Sequence, residues 1–105
     1  MPPTYDNYGN DDNYSNDTWT TLVAGPGMVS NVLMSNIGGT SVSVELRVLD
    51  TSVSPPAAVF STPARVLEVG DIDALDKGIA LGADDEMQFR ADLAGLSIIA
   101  SAVSG

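Results

Sequence analysis

The chain contains neither cysteine nor histidine. Without cysteine there is no disulfide framework and no thiolate chemistry. Without histidine, the commonest general base and the commonest transition-metal ligand are both missing. Only 4 basic residues stand against 14 acidic ones, for a formal net charge of −10. A surface of that sign repels phosphate, so neither nucleic acid nor an anionic membrane is an expected partner. No apolar run reaches the ~18 residues that a membrane-spanning helix needs. The first residues lack a basic stretch followed by an apolar one, so export through a signal peptide is not expected.

Aromatic residues are also few, six in all, yet Tyr5, Tyr8, Tyr14 and Trp19 fall in the opening stretch MPPTYDNYGNDDNYSNDTWTT. Asn, Asp, Gly and Pro dominate there, so residues 1–17 are expected to be an extended or disordered acidic arm. Two glycosylation sequons within it, beginning at Asn13 and Asn16, are read as chance in an Asn-rich tract.

From residue 18 the composition changes, and residues 18–105 are expected to form one small domain. The chain is 105 residues long and 44% hydrophobic, and its mean hydropathy is +0.12. A domain of this size buries roughly 60–65% of its unfolded surface, enough to fold alone. TWTTLVA is rich in β-branched and aromatic residues and is closed by Gly25-Pro26-Gly27. In MVSNVLMSN, period two places Val32, Met34 and Asn36 on one face. SVSVELRVLD alternates Val42, Val44, Leu46 and Val48 with Ser43, Glu45, Arg47 and Leu49, the mark of a half-buried antiparallel strand. Gly38-Gly39 between these two segments predicts a hairpin. AAVFS and ARVLEVG are short strand candidates divided by Pro63, whereas DIDALDKG is expected to be a loop or irregular turn. Gly82-Ala83-Asp84-Asp85 predicts the tip of another hairpin, leading into a strand with Met87, Phe89 and Ala91 on one face. LSIIASAV closes the chain. Turns recurring every ~8–12 residues between short strands are the spacing of a sandwich or barrel. The expected fold is therefore all-β, a small antiparallel β-sandwich of jelly-roll or Ig-like type with an extended N-terminal arm.

The acidic clusters offer little chemistry. Asp71, Asp73 and Asp76 fall short of a calcium loop: Leu75 stands at the fifth position, Asp76 where glycine is needed and Gly82 at the twelfth. They read as a solvated loop. Asp84, Asp85 and Glu86 read as a charged turn, and Phe60 and Phe89 as core. Lys77, the only lysine, reads as a solubility group. No nucleophile has a partner base, so catalytic residues, cofactors and metal sites are all expected to be none, and the protein is not expected to be an enzyme.

The run GMVSNVLMSNIGGTSVSVELRVLD, followed by RVLEVGDIDALDKGIALGADDEMQFRAD and LSIIASAVSG, resembles small β-sandwich structural proteins of tailed bacteriophages. A strand ending in Asn, a Gly/Ser/Thr turn, an alternating Val-x-Val-x-Leu strand and a final strand of small residues follow in the same order, over about residues 18–105. The resemblance implies a virion structural protein, made in the host cytoplasm and carried on the particle. It implies capsid decoration (cement) proteins first, neck or tail components or fibre-bearing pieces second; a surface binding module ranks third. Partners implied are the major capsid protein or other virion proteins, and further copies of the chain, a trimer being the form that three-fold positions would seat. The arm lies outside the recurring pattern. Its amphipathic rings (Tyr5, Tyr8, Tyr14 and Trp19) are the expected partner-binding residues, ordering when laid across a neighbouring subunit.

Overall fold

A computed structural model describes residues 4–11, 18–93 and 95–104. These contain no helix; strands make two antiparallel sheets packed against each other. The front sheet has the order β1 (Thr4–Asp11), β10 (Leu96–Ser104), β3 (Gly27–Asn36), β7 (Ile72–Leu75), with β8 (Ile79–Leu81) also pairing with β3. The back sheet has the order β2 (Thr20–Ala24), β9 (Asp85–Ala91), β4 (Val42–Asp50), β5 (Ala57–Ser61), with β6 (Arg65–Leu67) also pairing with β4.

Each long inner strand thus has an edge partner broken in two. β7 and β8 run along β3, interrupted by Asp76-Lys77-Gly78; β5 and β6 run along β4, interrupted by Thr62-Pro63-Ala64. Pro63 has no N–H to offer the ladder, which confines it to such a break. Thr62 fills the gap: its N–H donates to Leu46 O at 2.9 Å and its hydroxyl oxygen accepts from Leu46 N–H at 3.1 Å.

Alternation puts the core where it was expected. Val42, Val44, Leu46 and Val48 of β4 face inward, as do Met87, Phe89 and Ala91 of β9 and Leu96, Ile98, Ala100 and Ala102 of β10. Val32, Met34 and Asn36 of β3 are buried together. Phe89 is fully enclosed. Phe60, also expected in the core, is 38% exposed, because edge strand β5 has no neighbour on its outer side.

Two hairpins predicted from turn residues are replaced by crossings. β3 belongs to the front sheet and β4 to the back, so residues 37–41 pass between sheets. β8 and β9 are likewise in different sheets, joined across residues 82–84. Glycine-rich turns mark a reversal but do not say which strand will pair after it. DIDALDKG, expected as loop, supplies strand β7 with Leu75 buried opposite Val32.

The crossings at residues 37–41 and 68–71 meet at one end of the sandwich, where Asn36 ties them together and Ile37 N–H donates to Gly95 O at 2.8 Å. Asn36 Nδ2 donates to Thr40 O at 2.8 Å and Leu67 O at 2.9 Å, while Oδ1 accepts from Gly38 N–H at 3.0 Å. Its backbone N–H donates to Asp71 O at 3.0 Å, and its carbonyl accepts from Gly70 N–H at 3.1 Å. A buried amide is tolerated only when so satisfied. Gly95 completes this end with φ +105°; a Cβ there would lie 2.7 Å from Gly38 Cα. At the opposite end Gly25 is equally constrained, since a Cβ would collide with Gly82 O.

Of the arm, residues 4–11 are extended and pair with β10 along their whole length, Thr4 opposite Ser104 and Asp11 opposite Ser97. Tyr5 stands opposite Val103 and Tyr8 opposite Ala100 in that register. Tyr14 lies outside the described residues.

Candidate interaction faces

With the inward positions filled, the outward ones define two broad faces of different chemistry. On the back sheet, alternation turns Glu45 and Arg47 of β4 and Gln88 and Arg90 of β9 away from the core. The register sets Glu45 opposite Arg90 and Arg47 opposite Gln88. Each pair closes: Arg90 Nη2 donates to Glu45 Oε1 at 2.8 Å, and Arg47 Nε to Gln88 Oε1 at 2.8 Å. The band continues onto β2, where Gln88 Nε2 reaches Thr21 Oγ1 at 3.5 Å and that hydroxyl donates to Glu86 Oε1 at 2.7 Å.

Trp19 lies against this band. The guanidinium carbon of Arg47 is 4.0 Å from its ring centroid and that of Arg90 is 4.7 Å. Two cations share one electron-rich ring, each contact worth about 0.5–1 kcal/mol where solvent reaches it. Burial, and then the neighbouring Arg90 charge, push the Arg47 pKa down from its ordinary value. Of the four expected partner-binding aromatics, Trp19 is therefore engaged by its own sheet, with its ring partly open to solvent. Any partner meets it as part of the arginine band.

The acidic clusters are dispersed by the fold. Asp71 accepts from Glu68 N–H at 3.0 Å. Asp73 pairs with Arg65 of the opposite sheet, and its carboxyl is held below the usual carboxylate range by that hydrogen bond and then by Ala74 N–H. Asp85 accepts from Gly82 N–H at 2.8 Å, while Glu86 belongs to the back-face band. Among the described residues no three acids are grouped as a metal would require.

The front face differs in kind. Outward positions on β3, β10, β7 and β8 carry only small, hydroxyl, amide and aliphatic side chains, with no ionisable group among them. Leu33 and Ile99 are cross-strand partners at its centre, 46% and 40% exposed. Met28 lies towards one end and Ile72, 70% exposed, towards the other. Ser30 bridges the strands at a bulge by donating to Ser101 O at 2.9 Å.

The outward orientation of Glu45, Arg47, Gln88 and Arg90 was readable from alternation. That β4 and β9 are neighbours, and that Trp19 folds back over both, was not. Comparisons with protein-family models, with curated proteins and with solved structures found no match for this chain.

Proposed function

We propose that this chain is a non-enzymatic structural protein of a virion, a capsid decoration protein that binds and stabilises an assembled bacteriophage head. The observation that carries this reading is the strand order. Counting β5 with β6 and β7 with β8 as single broken strands leaves eight strands in two sheets of four, β1-β10-β3-β7/β8 and β2-β9-β4-β5/β6. Six of the seven connections between them pass from one sheet to the other. Eight strands so divided favour a jelly roll over an Ig-like sandwich, and viral shell domains are among the recurrent uses of that architecture.

A fold of this kind hosts many functions, so the surface must add to the case. It presents two wide, shallow faces whose side chains suit contact with neighbouring proteins. The sequence resemblance to phage structural proteins points the same way. In this reading the partner is the major capsid protein or another virion protein, the chain is made in the host cytoplasm, and its N-terminal region with Trp19 forms the docking side.

The test is the number of copies per major capsid protein in purified particles, by quantitative mass spectrometry. A ratio near one supports shell decoration. About a dozen copies per particle would assign it to the neck or tail instead, and absence from particles would end the virion reading. Replacing Tyr5, Tyr8 and Tyr14 together by serine, which leaves the backbone pairing of β1 with β10 in place, is expected to abolish particle binding without shifting the thermal melt. Undiminished binding would remove the docking role of Tyr5, Tyr8 and Tyr14.

A further inference from the structure

We infer that the front face is a self-association surface, and that two copies of this chain pair across it about a two-fold axis near Leu33 and Ile99. The inference stands apart from the virion reading and needs only the isolated protein.

Charge argues for a second copy as the occupant. Each molecule carries a net −10, so most approaches of two copies bring like charges together. From residue 18 on, the acids lie at the two ends of the sandwich (Asp71 at one, Asp84 and Asp85 at the other), at the edge beside β3, and on the back sheet (Glu45, Glu86), while Asp6 and Asp11 belong to edge strand β1. Front-to-front packing opposes two surfaces whose outward positions on β3, β10, β7 and β8 have no ionisable group. A charged partner would find nothing on these strands to select it.

Area and shape agree. A strand of ten residues is about 33 Å long, and the three strand widths from β10 to β7 span ~14 Å. The face is thus about 450 Å² in projection, the size of the smaller, weakly associating interfaces that bury less than ~1,200 Å² in total. The Leu33–Ile99 ridge is flanked by small residues, Ser35 and Ser97 on one side and Ala74 next to Leu33 across β7. A two-fold axis sets the ridge of one copy against the ridge and flanking hollow of the other, in the manner of stacked sheets.

The experiment is sedimentation velocity of the full chain across a concentration series, at low and moderate salt. The wild-type protein is expected to reach twice its 10.9 kDa mass, with stronger association as salt screens the remaining repulsion. Leu33→Glu is expected to weaken pairing at least ~100-fold, because it opposes two like charges near the axis. Leu33 is 46% exposed, so the fold should survive, as a thermal melt will show. Mixing Leu33→Glu with Leu33→Lys should restore pairing between the two variants. Val59→Glu, at a 63% exposed apolar position of β5 in the other sheet, should leave association unchanged.

A monomeric wild type at ~0.1 mM, corresponding to a dissociation constant too weak to matter, would overturn the inference and leave the face to a different protein. A three-copy mass, a Leu33→Glu variant that pairs like wild type, or equal loss from Val59→Glu would overturn it as well.

Discussion

The back and front faces are built from the same kind of strand, yet they satisfy their outward residues in opposite ways. On the back, Trp19, Arg47, Arg90, Glu45, Gln88 and Thr21 are linked by contacts within a single molecule. On the front, Leu33, Ile99, Met28 and Ile72 leave apolar area in water. Intramolecular pairing on one face stabilises the fold, whereas unpaired apolar area on the other supplies a driving force for association. In a strongly acidic chain this separation leaves the outward side of β3, β10, β7 and β8 without an ionisable group.

The heaviest loss is expected from breaking what both faces share. Asn36→Leu leaves two carbonyls and one N–H unpaired in the interior and should cost about 2–4 kcal/mol, lowering the melting midpoint by ~10–25 °C. Calorimetry will show whether folding and self-association fail together, as a common scaffold requires. Gly95→Ala should approach the same loss through the clash with Gly38.

The two faces should then separate under mutation. Trp19→Ala removes both ring contacts and is expected to cost about 1–2 kcal/mol by urea unfolding while leaving association intact. Leu33→Ala should do the reverse, with under ~1 kcal/mol lost from the monomer, because the site is already half open. Equal effects of the two changes on both measurements would erase the distinction.

Salt widens the contrast. Raising it should weaken the Arg90–Glu45 pair, worth only about 0.2–1 kcal/mol, yet strengthen pairing through the outward side of β3 and β10.

A change of pH is expected to matter least. Asp73, bonded to Arg65 and then to Ala74 N–H, and Asp50, bonded to the Ser52 hydroxyl and then its N–H, both have carboxyls held below their ordinary values. Their folded-state affinity for protons is lower than in the unfolded chain, where an Asp titrates near ~3.9. Their contribution is therefore present above about pH 4 and is lost as pH falls through the folded values. Asp73→Asn should flatten part of the acid limb of a melting-midpoint curve; an identical limb in the variant would show that the Arg65 contact contributes nothing.

Much of the fold was legible one strand at a time. Val42 to Val48 and Met87 to Ala91 alternate so regularly that the pattern of residues alone marks their buried sides, whereas the paired Ile98 and Ile99 leave the inward side of the last strand unmarked. DIDALDKG concealed β7 because three acids in eight residues outweigh Ile72 and Leu75 in a local reading. Gly38-Gly39 suggested a hairpin because a turn signal is local, whereas the choice of sheet depends on Asn36 finding Leu67 and Asp71 more than thirty residues away. Trp19 was marked by its rarity, but its two arginines are 28 and 71 residues further along the chain.

Composition and period-two patterning were enough to specify an all-β chain, the inward side of its main strands, and a formal net charge of −10. These properties need no knowledge of neighbours. Three others do: that β3 and β4 part into different sheets, that Arg47 and Arg90 meet over one indole, and that the outward residues of β3, β10, β7 and β8 merge into one uncharged surface. Each depends on which strands lie side by side. That is settled when the two sheets close over a common core, where the energy of burying both inward faces outweighs any local turn preference.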